Sequence, residues 1–226
     1  MERSGNSDFL INVTFYLNGA CSGFRFAHLN RSTSSFDLNY SLMDAEYISK
    51  FVDHLKKQGV LFESGLSDAE VERVERRFRF KFPPDLRQIL QYALPVSKSF
   101  PDWRSGDEYV LAEQVRWAAD GICFDIVHNN FWLDEWSAKP DDFDAACRVA
   151  RQELSQAPAL VPICSHRFIP SEPLLEGNPV FSVYQTDIIY YGVDLAAYFA
   201  AEFRMPLPTW AATEPRYIRF WGDLVS

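Results

Sequence analysis

A chain of 226 residues can bury a substantial core as one domain of ordinary size, or as one domain with an extension. Hydrophobic residues make up 47%, aromatics 15% and charged residues 23%, a globular balance that excludes disorder over the whole length. The net charge of −9 repels phosphate backbones, so nucleic-acid binding is not expected and a basic partner is favoured.

No apolar run approaches the roughly 20 residues that span a bilayer, so no membrane segment is expected. Phe9–Leu17 is short and apolar, but Asn12 and Thr14 interrupt it and Glu2 and Asp8 precede it, which does not fit a secretory signal. The four cysteines, Cys21, Cys123, Cys147 and Cys164, show no C-x-x-C spacing, so reduced thiols in a cytoplasmic protein are expected. The sequons at Asn12, Asn30 and Asn39 are then incidental.

Residues 1–42 form an N-terminal extension rich in Asn, Ser and Phe. Phe9–Leu17 is strand-like and Arg31–Ser35 is turn-prone, so the stretch reads as a β extension, a loose tail, or sequence upstream of a start at Met43. The domain proper covers 43–226 and opens with a leading helix over 44–58, where Tyr47, Ile48, Phe51, Val52 and Leu55 share one face and Gly59 stops it. Ser67-Asp-Ala-Glu70 has the pattern of a capping box, followed by Val71, Val74 and Phe78 on an inner face. Glu72, Arg73, Glu75, Arg76, Arg77 and Arg79 mostly solvate the other face. Pro83-Pro84 breaks that helix and Pro84 opens another, with Leu86, Ile89, Leu90 and Ala93 inward.

Phe100-Pro-Asp-Trp103 reads as a loop that plugs an aromatic into the core. Tyr109–Leu111 and Phe124–Val127 read as strands, and Asp141–Ser155 as a helix capped by Asp141 with Phe143, Ala146, Cys147, Ala150 and Leu154 on one side. Leu160–Cys164 is a buried strand and Arg167–Ile169 its continuation. Pro179–Tyr184 and Asp187–Tyr191 form an antiparallel pair around Gln185-Thr186. Asp194 opens a closing helix with Leu195, Tyr198, Phe199 and Phe203 toward the sheet. Helices, then strands, then a helix predict an α+β fold with an antiparallel sheet packed by helices.

Three stretches together resemble Smi/Knr-like domains of the SUKH superfamily: GLSDAEVERVERRFRFKFPPDLRQIL with the nearby Phe100–Trp103, GNPVFSVYQTDIIYYGVDLAAYF, and RFWGDLV. The resemblance covers roughly Leu66 to Val225. It implies the SUKH α+β fold and action by binding, since the family includes fungal cell-wall regulators and bacterial immunity proteins that block toxins. It implies no catalytic motif.

Chemistry leaves few marks. No G-x-S-x-G, G-x-x-x-x-G-K-[ST] or G-x-G-x-x-G occurs, so no cofactor is expected. His166, between Ser165 and Arg167, can be drawn into a triad with Asp187, which keeps a small hydrolase as an alternative, but nothing in the sequence brings those groups together and a structural histidine is the favoured reading. His128, at the end of Phe124–Val127, has the same two readings. Cys164 with His166, or Cys123 with His128, supply two metal ligands each where three or four are needed, so no metal is expected.

Phe131–Asp144 carries Trp132, Asp134, Glu135, Trp136, Asp141, Asp142 and Asp144 against Lys139. Tryptophans beside clustered carboxylates can form a binding surface for a basic protein, rings supplying contact area and acids supplying steering. Alternatively both tryptophans plug the core and the acids cap the next helix. The expectation is a non-catalytic protein-binding domain, either an immunity-type protein or a scaffold regulator in cell-wall or stress signalling, with these six residues (Trp132, Asp134, Glu135, Trp136, Asp141, Asp142) at the site. The sequence is silent on its oligomeric state.

Overall fold

In the computed structural model, which describes residues 43–225, the first helix starts where Asp44 accepts a hydrogen bond from the Tyr47 amide at 2.7 Å. Phe9–Leu17, Arg31–Ser35, Cys21 and the three sequons lie outside the described residues. This helix, α1 (Ala45–Lys57), buries Ile48, Phe51, Val52 and Leu55 as their spacing predicts. Strand β1 (Phe62–Ser64) follows and pairs antiparallel with β2 (Ala93–Pro95), a small sheet the sequence reading did not anticipate.

Between them lies the helical corner. Ser67 caps α2 (Asp68–Phe78) by accepting from the Glu70 amide, while the Glu70 carboxylate accepts from the Ser67 amide at 2.8 Å, so two otherwise orphaned donors are satisfied. Pro84 begins α3 (Pro84–Tyr92), which buries Leu86, Ile89 and Leu90. Val71 and Val74 are buried, whereas Phe78 is only half-buried. Glu75 does not solvate the outer face. It is buried, with one carboxylate oxygen accepting from Lys81 Nζ at 2.5 Å and the other from the Phe82 amide at 3.1 Å. A buried charge needs such partners, and the chain doubling back after Phe78 brings them.

The middle of the chain overturns two expectations. Tyr109–Leu111 and Phe124–Val127 are the two ends of one 21-residue helix, α4 (Glu108–His128), not strands. Asp107 caps it, accepting from the Tyr109 and Val110 amides. Its β-branched and aromatic residues have strand propensity, but packing of Leu111, Ala118, Ile122 and Ile126 along one side overrides that preference. The next helix, α5 (Phe143–Leu154), is capped by Asp142 rather than Asp141, through a 2.7 Å bond from the Ala145 amide. Phe143, the first residue of this helix, is 51% exposed, while Ala146 and Ala150 in its later turns are buried in the core shared with α4.

The main sheet is an antiparallel meander of β3 (Leu160–Cys164), β4 (Arg167–Pro170), β5 (Val180–Tyr184) and β6 (Asp187–Gly192). Asp194 then caps α6 (Leu195–Phe203). Alternate strand residues feed two cores, as the period-two geometry of a strand requires. Val161, Ile169 and Val180 pack with α1, α2, α3 and α6, and Trp103 and Phe100 plug this side as predicted. Leu160, Phe168, Phe181, Val183 and Ile188 pack with α4, α5 and Trp136. Helices therefore cover both faces of an antiparallel sheet, an α+β arrangement. A short 3₁₀ turn, Trp221–Asp223, ends the chain, and Val225 bridges in parallel to Ile188 on β6.

Candidate partner-binding site

The loop joining α4 to α5 begins at Asn130, whose φ of 55° turns the chain sharply away from the helix axis. Its first residues return to the helix end, where the Phe131 amide donates to the Asp125 carbonyl at 3.0 Å. Trp136 then anchors the loop. It is 8% exposed, lies edge-on to Trp132 with centroids 5.1 Å apart, is edge-on to Phe131, and runs parallel to Phe220 at 6.5 Å. An indole of this size buried in a core of rings holds the loop by area as well as geometry.

Trp132 stays half-buried, and its indole N–H donates to the Ser137 carbonyl at 2.9 Å, closing the loop on itself. Lys139 is drawn inward, donating to the Asn130 side chain at 2.8 Å and reaching the Phe131 and Ile126 carbonyls. Its ammonium also stands 6.0 Å above the Trp132 ring. The loop cation therefore serves the loop's own structure.

The acids point the other way. Asp134, Glu135, Asp141, Asp142 and Asp144 are all exposed. Asp142 is committed to the α5 cap, with Arg148 4.0 Å away. The other four have no salt bridge among the described residues. Of the six residues expected at the site, the structure thus exposes the four acids, half-exposes Trp132, and assigns Trp136 to the core. Trp136 supports the surface and does not form it. In its place stands Phe143, which sequence reasoning turned inward.

Two further exposed rings stand on α4, Trp117 between the two segments that read as strands and Phe124 at the start of the second, so no helical face shows them in the sequence. Trp117 and Phe124 are 44% and 46% exposed on α4, two turns apart and so on one face. Phe124 packs on the His128 ring at 4.3 Å, one turn from where the acidic loop leaves the helix. Trp117 donates its N–H to the Val183 carbonyl at 2.9 Å, which fixes its ring over the end of β5.

The residues considered for chemistry are dispersed. His166 occupies the turn between β3 and β4, half-buried, and burial followed by the Arg167 charge pushes its imidazole below the usual range. Among the described residues no hydrogen bond joins its ring to Ser165 or Asp187. Cys123 and Cys147 face each other across α4 and α5, each thiol donating to the other's carbonyl at 3.9 and 3.8 Å. Burial pushes the Cys123 thiol up to about 12, and the Cys164 thiol up to about 11. Such thiols are poor nucleophiles. Among the described residues no three His, Cys, Asp or Glu side chains are placed to hold a metal ion, and no helix is long and apolar enough to cross a membrane.

No family model, no curated protein and no solved structure matches the chain.

Proposed function

We propose that this is a non-catalytic protein-binding domain whose acidic loop, Phe131–Asp144, engages a basic protein partner. One observation carries the reading: a loop held by Trp136 and Lys139 presents four carboxylates with no salt bridge among the described residues, with Phe143 exposed among them. Such a surface has the two ingredients of a charge-steered interface. The acids accelerate encounter with a cationic surface, and the exposed rings give area to bury on contact. Anchoring the loop beforehand lowers the ordering cost of association.

The resemblance of Leu66–Val225 to Smi/Knr-like domains supports the same mode of action and adds the SUKH fold to the proposal. It supports an immunity-type role, blocking a partner by occupying it, with regulation of cell-wall or stress signalling as the other role open to such a domain.

The test is affinity capture from the source cell with the wild type and with Asp134→Lys/Glu135→Lys/Asp141→Lys, which leaves the Asp142 cap intact. Loss of a captured basic protein in the variant, and weakening of its wild-type binding as salt rises, support the reading. An unchanged set of captured proteins at all salt concentrations overturns it.

A further inference from the structure

At the far end of α5, the sign of the surface reverses. A groove of about 480 Å³ opens between the end of α2, the α5–β3 connection and the β4–β5 connection. Arg76, Arg79 and Lys81 line it, and Phe80, Ala157 and Leu174 supply apolar wall. Two carboxylates belong to the same lining. Glu75 is buried and already occupied by Lys81 Nζ and the Phe82 amide, and Glu172 is exposed on the opposite rim. Arg76 and Arg79 make no salt bridge and no hydrogen bond among the described residues. In a chain of net charge −9, two uncommitted guanidiniums along one groove form a local field opposed to that of the whole molecule.

We propose that this groove binds an acidic peptide segment of a partner protein, carboxylates on Arg76 and Arg79 and an apolar side chain against Leu174 and Ala157. Guanidinium forks match carboxylates two bonds at a time, and an open groove with a mixed wall suits an extended chain better than a small ion. The acidic loop and this groove lie at opposite ends of α5, a 12-residue helix about 18 Å long, so the two surfaces can be occupied independently. The proposal therefore stands without the reading of the acidic loop.

Arg79 gives the test an unusual control. It adopts the left-handed backbone, φ 58°, at the C-cap of α2, a position glycine fills with less strain. Arg79→Gly thus removes the charge while favouring the fold, and Arg76→Gln changes only an exposed side chain. The probe is a fluorescein-labelled decapeptide alternating Glu and Leu, titrated by anisotropy against wild type and Arg76→Gln/Arg79→Gly, with a Gln–Leu decapeptide and inorganic pyrophosphate alongside. The expected result is binding of the Glu–Leu peptide that weakens at least tenfold in the double variant, at unchanged or raised thermal midpoint, and at least tenfold weaker binding of the Gln–Leu peptide. Equal binding by wild type and double variant, or no binding of the Glu–Leu peptide, overturns the proposal. Pyrophosphate binding as tightly as the peptide also overturns it, since the groove is then a small-anion site.

Discussion

Asp125, buried inside α4, holds Thr186 with a single oxygen: its Oδ2 accepts from the Thr186 amide at 2.9 Å and from the Thr186 hydroxyl at 2.5 Å. Its other oxygen accepts from the Asn129 side chain at 2.6 Å. The carboxylate thus fixes the β5–β6 turn to the helix that leads into the acidic loop. Asp125→Ala strands two donors on half-buried Thr186 and removes the partner of the exposed Asn129 side chain, and is expected to cost roughly 2–4 kcal/mol, read as a lower urea midpoint. Thr186→Val is expected to cost less, and the double variant less than the sum of the two, because the singles break the same contacts. Strict additivity would show that the two residues act separately.

Asp85 provides a pH signature. It is buried at the start of α3, where one oxygen accepts from the Leu86 amide and the other from the Gly177 amide at 3.0 Å. Burial outweighs these bonds and raises its carboxyl from 3.8 to about 6, with Glu176 nearby adding to the rise. At pH 3 both folded and unfolded chains hold this proton, and its contribution to stability is complete. Between about 4 and 6 the unfolded chain releases the proton while the folded chain keeps it, so stability falls as pH rises, by roughly 3 kcal/mol in all. Asp85→Asn is expected to remove that slope. Denaturation midpoints of both proteins from pH 3 to 8 decide the matter, and parallel curves would refute the assignment.

Trp136 and the acids around it are expected to separate cleanly in stability measurements. Trp136→Ala removes a buried indole and should cost about 3–5 kcal/mol. Asp134→Lys/Glu135→Lys changes exposed side chains and should shift stability by less than about 0.5 kcal/mol. Thermal melts suffice. A folded, fully stable Trp136→Ala protein would return that ring to the surface.

Gly121 marks a close approach of α4 to the β5–β6 turn. A β-carbon there would lie 2.8 Å from the Gln185 Cα and 3.1 Å from its amide nitrogen, backbone atoms that cannot swing aside. Alanine gains about 1 kcal/mol of helix propensity, but the overlap costs about 1–3 kcal/mol. Gly121→Ala is therefore expected to melt earlier and to expose the Thr186 amide to faster hydrogen exchange. A higher melting point would mean the turn yields without loss.

Where a single face of an element meets the core, the residues announced it. The 3.6-residue spacing in α1, the Ser67–Glu70 box, Pro84 and the Asp194 cap all mark helix starts found within a residue or two of expectation, although α2 ends at Phe78 and not at the Pro83-Pro84 break. α4 was illegible for a physical reason. The sheet takes one side of it, α5 a second, and Trp117 and Phe124 stand on a third, so its apolar residues show no single stripe, and Gly121 reads as a break. Asp107 followed by Leu111, Ala118, Ile122 and Ile126 was the available signal. The acidic loop was half legible: its charges are visible in any order of folding, but whether an indole faces water depends on Phe131 and Phe220, the latter 84 positions away in sequence. Of Arg76 and Arg79 the sequence shows only helix-surface charge, since the groove they line is completed by residues 155–159 and 171–174.

The parallel bridge between Val225 and Ile188 has a consequence for handling the protein. β6 is an outer strand, and its neighbouring Ile189 is 40% exposed, so without Val225 its amides and carbonyls would offer a template to another chain. A variant shortened before Leu224 should accordingly aggregate by strand addition at concentrations where the intact protein stays dispersed.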